Sequence, residues 1–156
     1  MKFLLTLALS ATIAATACTA FAGGHDGNPA VTARKAHMQI YQHNLTILGN
    51  MVRGNADYDA AAAQAAADNM VILTTLNQST YWIPGTTNAE LGDETRTLPA
   101  IFESGSTARE IGGQLAAATV ALAAVASDGV EAIGPALGPV GASCTACHRP
   151  YRISRN

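Results

Sequence analysis

A short motif near the C-terminus has the residue types and spacing for covalent chemistry. Cys144 and Cys147 are separated by two residues, and His148 follows directly. This C-x-x-C-H order is typical of the attachment site of a c-type haem. Each thiol adds to one vinyl group of the porphyrin, and the adjacent imidazole is then placed to bind the iron as its proximal ligand. The motif predicts one covalent haem c, with His148 as the metal ligand.

The same side chains permit two other interpretations. Two cysteines and a histidine bind Zn²⁺ when a fourth ligand lies nearby, and two cysteines at this spacing also form redox-active dithiols. Nothing in the sequence identifies a fourth zinc ligand near Cys144 and His148. No strand pattern precedes the motif, as a thioredoxin-like dithiol would require. The motif alone leaves both alternatives open and favours haem.

The N-terminal segment has the organisation of a secretory signal peptide. Lys2 supplies a positive charge, residues 4–17 form an apolar stretch, and residues 20–22 read Ala-Phe-Ala, a typical cleavage site. We expect residues 1–22 to be removed on export to the periplasm. Residues 23–156 are then the mature domain.

Two alternatives for the N-terminal segment are weaker. A membrane anchor would need an apolar run of about 20 residues, and this stretch is shorter. Lipoprotein processing at Cys18 is disfavoured because Ala15 stands where such sites prefer Leu. Removal of Cys18 with the signal peptide leaves only Cys144 and Cys147, so a separate disulfide framework is excluded. An exported chain of this kind fits haem attachment better than cytosolic zinc or dithiol chemistry.

Composition excludes several classes of function. The 156 residues suit a single domain, and the net charge of −2 gives no basic excess for nucleic-acid binding. Alanine is abundant and aromatic residues make up only 5%, which favours closely packed helices. No Ser/His/Asp or paired-carboxylate constellation stands out. We therefore expect a helical binding protein rather than an enzyme.

Hydrophobic periodicity predicts an all-α fold. Apolar residues recur at three- and four-residue steps, as in amphipathic helices, in four segments. These segments are Asn28 to Gly54, Asp57 or Asp59 to about Leu76, Glu103 or Ser106 to Ala126, and Val130 to Tyr151. Residues 77–99 are expected to form a long irregular crossover, pinned to the bundle by Trp82 and Ile83. The pattern predicts an antiparallel four-helix bundle, a fold that builds cofactor sites in its core.

Two helices carry details that bear on the site. On the last helix, Pro135 and Pro139 should bend or delay the start of the helix. Both cysteines should face the core, with His148 one turn beyond Cys144. The first helix has one continuous apolar face and a second, narrower stripe that could be core or a dimer surface. The main face comprises Val31, Arg34, Met38, Tyr41, Leu45, Leu48 and Val52, and the narrow stripe comprises Ile40, Ile47 and Met51.

Three other histidines compete with His148 for a role at the metal. His25, His37 and His43 are all expected to be exposed to solvent. His37 is adjacent to Met38 and so projects about 100° away around the helix. It is a weak alternative as a distal ligand.

Taken together, these features resemble the cytochrome c′ group, the class II c-type cytochromes. Tyr151-Arg152 follows the motif as in the family's C-terminus. Arg34 and Met38, four residues apart, resemble the family's arginine and distal-pocket residue. Gly54 followed by Tyr58-Asp59 is similar to the start of the family's second helix, although Asp57 replaces the usual Pro. The resemblance covers nearly all of the mature chain.

The resemblance implies roles for these residues. Arg34 and Arg152 would shape the haem pocket and interact with a propionate, and Met38 would project over the open face of the iron. A Met38 that only packs there leaves a five-coordinate, high-spin iron that admits NO or CO. A Met38 that binds gives a six-coordinate, low-spin electron carrier. The first is favoured because of Arg34, and small redox partner proteins and a homodimer are also implied.

Overall fold

The computed structural model describes residues 27–154, and this part of the chain is helical. Within it, five helices follow one another along the chain: α1 Pro29–Val52, α2 Ala60–Thr75, α3 Asn88–Leu91, α4 Ala108–Ala123 and α5 Val130–Tyr151. The four long helices, α1, α2, α4 and α5, form a ring in which each packs against two others. The predicted all-α four-helix bundle is confirmed.

Contacts between helix ends show that neighbouring helices are antiparallel. Gln64, near the start of α2, donates a 3.0 Å hydrogen bond to the carbonyl of Ala123 at the end of α4. Gly134, near the start of α5, lies against the Val52 side chain at the end of α1. Tyr58 joins the α1–α2 loop to the α4–α5 loop at this end of the bundle, because its hydroxyl donates to the Ala126 carbonyl at 3.0 Å. The C-terminal half of α5 therefore lies at the opposite end of the molecule.

Local capping chemistry explains why α1 and α2 begin where the sequence predicts. The Asn28 side chain accepts hydrogen bonds from the amides of Ala30 at 3.0 Å and Val31 at 3.4 Å, and Pro29 occupies the first helical position. The Asp59 carboxylate accepts from the Ala62 amide at 3.0 Å. Each cap satisfies amides that have no partner within the helix.

The later helices differ from prediction in their lengths. α4 spans Ala108–Ala123, which is shorter than the predicted Glu103 or Ser106 to Ala126. The amide of Thr107 instead donates to the Tyr151 hydroxyl at 2.8 Å, so a tertiary contact occupies the residue before α4. α5 begins at Val130 and passes through Pro135 and Pro139. The expectation that these prolines delay the helix is wrong, because both lie inside α5 on its exposed side, where water can reach the carbonyls that lack a proline N–H partner.

The core runs through the middle of the bundle. Its fully buried members come from all four long helices, and the small side chains of α2 allow close approach. These residues include Leu48, Ala63, Ala67, Met70, Leu122, Ile133 and Val140. Met51 is also buried, at 7% exposure, whereas Ile40 is 49% exposed. The predicted stripe of Ile40, Ile47 and Met51 is therefore not one surface, because Met51 turns into the core.

The crossover between α2 and α4 is more ordered than predicted. It contains α3 and two single 3₁₀ turns, at Gly92–Glu94 and Pro99–Phe102. A capping box between Thr87 and Glu90 starts α3, and the Glu94 carboxylate accepts a hydrogen bond from the Asn28 amide. Ile83 does not pin the segment, since its side chain is 39% exposed.

Some predictions fall on residues beyond this range. The signal peptide, its cleavage site, Cys18 and His25 lie outside the described residues. Across residues 27–154, no helix combines the length and the apolar character that crossing a membrane requires.

Candidate functional site

A broad cleft opens between α1, α4, α5 and the crossover. Its volume is about 1940 Å³, above the ~300–1,000 Å³ of common small-molecule pockets. All the residues predicted for the site line this one cleft: Arg34, Met38, Cys144, Cys147, His148 and Arg152. The cleft is therefore large enough for an extended ring system, and the bundle brings the predicted residues together around it.

The C-x-x-C-H motif lies in the last turns of α5. Because residues three and four apart share a helical face, Cys144, Cys147 and His148 all point to the cleft side and are half-buried. The end of this helix is tied to the crossover: the Leu98 amide donates to the Tyr151 carbonyl at 2.9 Å. A rigid helix with a fixed end therefore presents both thiols and the imidazole.

The electrostatics of the thiols disfavour a zinc site. Burial raises the pKa of Cys144, and burial together with the neighbouring Cys144 raises the pKa of Cys147. Thiolate is the form that binds Zn²⁺, and a raised pKa disfavours it. In residues 27–154, no three His, Cys, Asp or Glu side chains are arranged to hold a metal ion. The donor set fits a porphyrin attached through two sulfurs better than a zinc site.

His148 is placed to act as a neutral nitrogen ligand. Burial lowers the pKa of this imidazole, and the positive charges of Arg152 and Arg96 lower it further. A neutral imidazole is the form that binds a metal. The Arg152 amide donates to the His148 carbonyl at 3.1 Å, so Arg152 ends the helix and lies beside the imidazole at the cleft.

Arg34 is buried, with only 4% of its surface exposed, and its guanidinium faces the crossover. It donates to the Tyr81 carbonyl at 2.8 Å, to the Thr86 hydroxyl at 2.6 Å and to the Thr86 carbonyl at 2.7 Å. The guanidinium also lies 5.1 Å from the centre of the Trp82 ring. None of these partners carries a charge. A buried cation that lines the cleft without a charged partner suits an anionic group such as a haem propionate.

The wall contributed by α1 and α4 is mostly apolar. Met38 lines the cleft and is 39% exposed. The other apolar residues around it are Val31, Tyr41, Leu45, Ile111 and Leu115, with Ile101 and Phe102 from the crossover. This lining favours a flat, largely apolar cofactor face.

The expectation that His37 is exposed is wrong. His37 is 5% exposed, because the crossover covers it. Its ring stacks on Tyr41 at 4.9 Å between centroids, and its Nδ1 lies 2.8 Å from the Tyr81 hydroxyl. Burial lowers the pKa of His37, and the nearby Leu73 carbonyl offsets part of this effect. His37 does not line the cleft, which argues against it as a distal ligand.

Tyr81 is the residue that sequence reasoning missed. It lies 44 positions from His37 along the chain, within a segment without a helical period. Its aromatic side chain, next to Trp82, is the one feature of the sequence that indicates a structural role for Tyr81. His43 is exposed, as expected.

Comparison with known proteins decides what kind of site this is. Residues 29–152 match the sequence model of cytochrome c′. The chain belongs to the cytochrome c′ family. A cytochrome c′ from Cereibacter sphaeroides is 32% identical over 155 residues, which cover 99% of this chain and 100% of that protein. The family binds haem c covalently, so the predicted cofactor is confirmed at the level of the family.

Solved structures of the family share the fold. A cytochrome c′ from Rhodobacter sphaeroides superposes with a TM-score of 0.77 at 32% identity, covering 81% of this chain and 96% of that one. A second cytochrome c′, whose dimer dissociates under ligand control, gives a TM-score of 0.72 at 28% identity, with 80% and 95% covered. This family carries a c-type haem for electron transfer or gas binding.

Proposed function

We propose that this chain is an exported monohaem cytochrome that transfers electrons, binds small neutral gases such as NO and CO, or does both, and that it is not an enzyme. The observation that carries the proposal is the convergence of all the predicted site residues on one cleft. Cys144 and Cys147 would attach haem c, and His148 would be its proximal ligand. The haem supplies the redox chemistry and the open metal position, and the protein supplies orientation and access.

Two arginines would orient the cofactor. Arg34 offers a buried positive charge beside the cleft, and its neutral partners leave that charge for a propionate. Arg152 lies next to His148, where its charge favours the neutral imidazole. The role of Arg34 follows from placing a cation near an anionic group in a region that water reaches poorly.

We place Met38 in the cleft as a non-bonding residue, which leaves the iron five-coordinate and high-spin. Met38 follows Arg34 by four residues, the spacing that resembles the family's arginine and distal-pocket residue. With that arginine present, the resemblance favours a distal residue that packs over the iron without binding it. The apolar side chains beside Met38 would keep water and anions from the iron and would admit neutral diatomic gases.

The alternative is a six-coordinate, low-spin electron carrier with Met38 bound to the iron. One observation favours it: Met38 on α1 and His148 on α5 line the same cleft. A flexible thioether adjusts easily to a metal. This alternative predicts low-spin spectra and slow gas binding.

We also propose a homodimer, consistent with the ligand-controlled dimer of one similar structure. Asn69 of α2 donates to Asn44 of α1 at 3.1 Å, so the antiparallel pair brings Ile40 and Ile72 to about the same height. Both side chains are exposed, at 49% and 57%. An apolar face on these two helices would be covered by a second copy.

We further propose that residues 1–22 are removed when the protein is exported to the periplasm.

Absorption and resonance Raman spectra of the purified holoprotein in both oxidation states test this function. We expect high-spin spectra in each state and rapid CO binding to the ferrous form. Low-spin spectra in both states would replace the proposal with the Met38-ligated carrier. A colourless protein that contains zinc would overturn both.

A further inference from the structure

The basic residues of this chain are concentrated at one place. Among residues 27–154, every lysine and arginine except Arg53 lines the cleft or the hollow beside it. Arg34 is buried, and the others form what we name the cationic rim: Lys35, Arg96, Arg109, Arg149 and Arg152. The whole chain nevertheless has a formal net charge of −2. The sign of the charge at the cleft is therefore opposite to that of the molecule.

Carboxylates are fewer than basic residues in the lining of the cleft. In the described part of the chain, only Asp93 and Glu94 line the cleft, and the Glu94 carboxylate already accepts the Asn28 amide. Glu90, Glu103 and Glu110 lie at the same end of the bundle but outside the cleft lining. The tight loops at the far end of the bundle carry a second group of acids. These are Asp57, Asp59, Asp128 and Glu131, close to the hydrogen bond of 3.1 Å from the Gly129 amide to the Tyr58 hydroxyl. The positive excess is therefore a property of the lining of the cleft and of the hollow beside it.

The rim continues around the end of α5. A hollow of about 300 Å³ there is lined by Thr145, His148, Arg149, Arg152 and Ser154. Arg149 and Arg152 are both exposed. Arg96 reaches the same region from the crossover, where it donates to the Ile153 carbonyl at 3.4 Å. The charges therefore surround the edge of the site and do not cover a remote surface.

We propose that the redox partner of this protein presents an acidic protein surface and docks over the cationic rim. This inference rests on the proposed electron-transfer function. The hollow beside the cleft is bordered by Arg149 and Arg152 and accepts carboxylate side chains that project from a partner, whereas a flat anionic membrane meets only the outermost charges. Complementary charge speeds association and orients the partner, and salt weakens the effect.

Small redox reagents of opposite charge test the sign of the field at the cleft. Stopped-flow mixing of the ferric holoprotein with Fe(II)-EDTA, an anion, or with hexaammineruthenium(II), a cation, transfers one electron. The reagent is oxidised from the divalent to the trivalent metal, and the haem iron is reduced from Fe(III) to Fe(II). Raising salt from ~10 mM to ~300 mM shortens the range of electrostatic interactions. The rate with the anion should fall by about threefold or more, although net charge alone predicts a rise.

Matched arginine variants locate the effect. Arg109→Gln and Arg149→Gln should each lower the low-salt rate with Fe(II)-EDTA by about twofold. Arg53→Gln removes the same charge from the far end of the bundle and should leave that rate unchanged. Equal effects of all three variants, or an anion rate that rises with salt, would overturn the proposal.

Binding of an acidic polypeptide provides a readout independent of electron transfer. Calorimetry with poly-L-glutamate should show salt-sensitive binding that Arg109→Gln weakens and Arg53→Gln does not. Absence of such binding contradicts the proposal. Preferential, salt-reversible sedimentation with phosphatidylglycerol vesicles also contradicts it, because that result would assign the rim to a membrane.

The redox reagents separate failure of the docking surface from failure of the proposed function. A protein that reacts with neither Fe(II)-EDTA nor hexaammineruthenium(II) would indicate failure of the electron-transfer function itself. Reaction with both reagents without the expected salt dependence would reject only the docking surface.

Discussion

The Nδ1 atom of His37 lies 2.8 Å from the Tyr81 hydroxyl, which joins α1 to the crossover. One turn earlier on α1, Arg34 donates to the backbone carbonyl of the same Tyr81 at 2.8 Å. Two successive turns of α1 therefore bind one crossover residue by its side chain and by its main chain. Trp82, the next residue, lines the haem cleft. This double contact sets the position of one wall of the site.

Loss of the Tyr81 hydroxyl should loosen that wall. Tyr81→Phe leaves the buried Nδ1 of His37 without this partner and should lower the free energy of unfolding by about 1–2 kcal/mol. We expect faster CO association to the ferrous protein, because the crossover opens more easily. Tyr58→Phe, which removes a hydroxyl at the far end of the bundle, serves as the control in flash photolysis. Equal CO rates in both variants would contradict a role for Tyr81 in access.

Replacement of Arg34 by lysine tests whether its shape or its charge matters. Arg34→Lys keeps the charge but cannot reach Tyr81 and both Thr86 oxygens at once. We expect a loss of about 2–3 kcal/mol in chemical unfolding. The exposed Arg53→Lys should change stability by less than about 0.5 kcal/mol. Similar losses in the two variants would show that the buried hydrogen bonds of Arg34 contribute little.

Substitution of Met38 distinguishes the two coordination states. If the iron is five-coordinate, Met38→Ala should leave the ferrous absorption spectrum nearly unchanged. Removal of a bound thioether would instead convert a low-spin spectrum to a high-spin one. Leu45→Ala, which shortens another apolar residue of the cleft lining, controls for general loosening. A change of spin state confined to Met38→Ala would show that the six-coordinate alternative is correct.

The proposed dimer predicts a position-specific effect of charge. Ile72→Glu places a carboxylate in the α1–α2 face of both copies and should raise the dimer dissociation constant at least about tenfold, or ~1.4 kcal/mol. Val120 on α4 is equally exposed, at 57%, so Val120→Glu is a matched control. Sedimentation equilibrium across micromolar concentrations measures both. A wild-type protein that sediments as a single chain would rule out this interface.

The capping box of the crossover should respond to acid. Hydrogen bonds from the Thr87 side chain and amide lower the pKa of Glu90 below its usual value. Its contribution to the stability of α3 is therefore complete above the ordinary carboxyl pKa and is lost as pH falls through the lowered value. Amides of residues 87–91 should exchange faster at low pH in the wild type, after correction for intrinsic exchange. Glu90→Gln should show little such change, and an equal acid effect in this variant would argue against the capping box.

Local sequence signals predicted the parts of the fold that local chemistry determines. Asn28 and Asp59 cap their helices with their own side chains, and the motif brings its ligands together on a single helix. These features need no knowledge of distant neighbours. The bundle follows from four amphipathic segments, because their apolar faces have only one another to pack against.

The remaining features depend on contacts between distant residues. His37 looks like a surface residue in sequence, yet the crossover covers it. Arg34 was expected in the pocket, but its hydrogen bonds to Tyr81 and Thr86 of the crossover could not be predicted. The start of α4 is set by Tyr151, whose hydroxyl accepts the Thr107 amide at 2.8 Å. The helical period of a sequence distinguishes the buried and exposed faces of one helix. It carries no information about which residues of distant segments contact each other. The concentration of basic residues around the cleft likewise appears only once the chain is folded.

The most direct test of the account is the chemical identity of the peptide that contains residues 144–148. The purified holoprotein is extracted with acid acetone, digested, and analysed by absorption and mass spectrometry. The account predicts that the Soret band stays with the protein and that this peptide carries one haem through Cys144 and Cys147. Release of the pigment into acetone, or an unmodified peptide with two free thiols, would contradict the account.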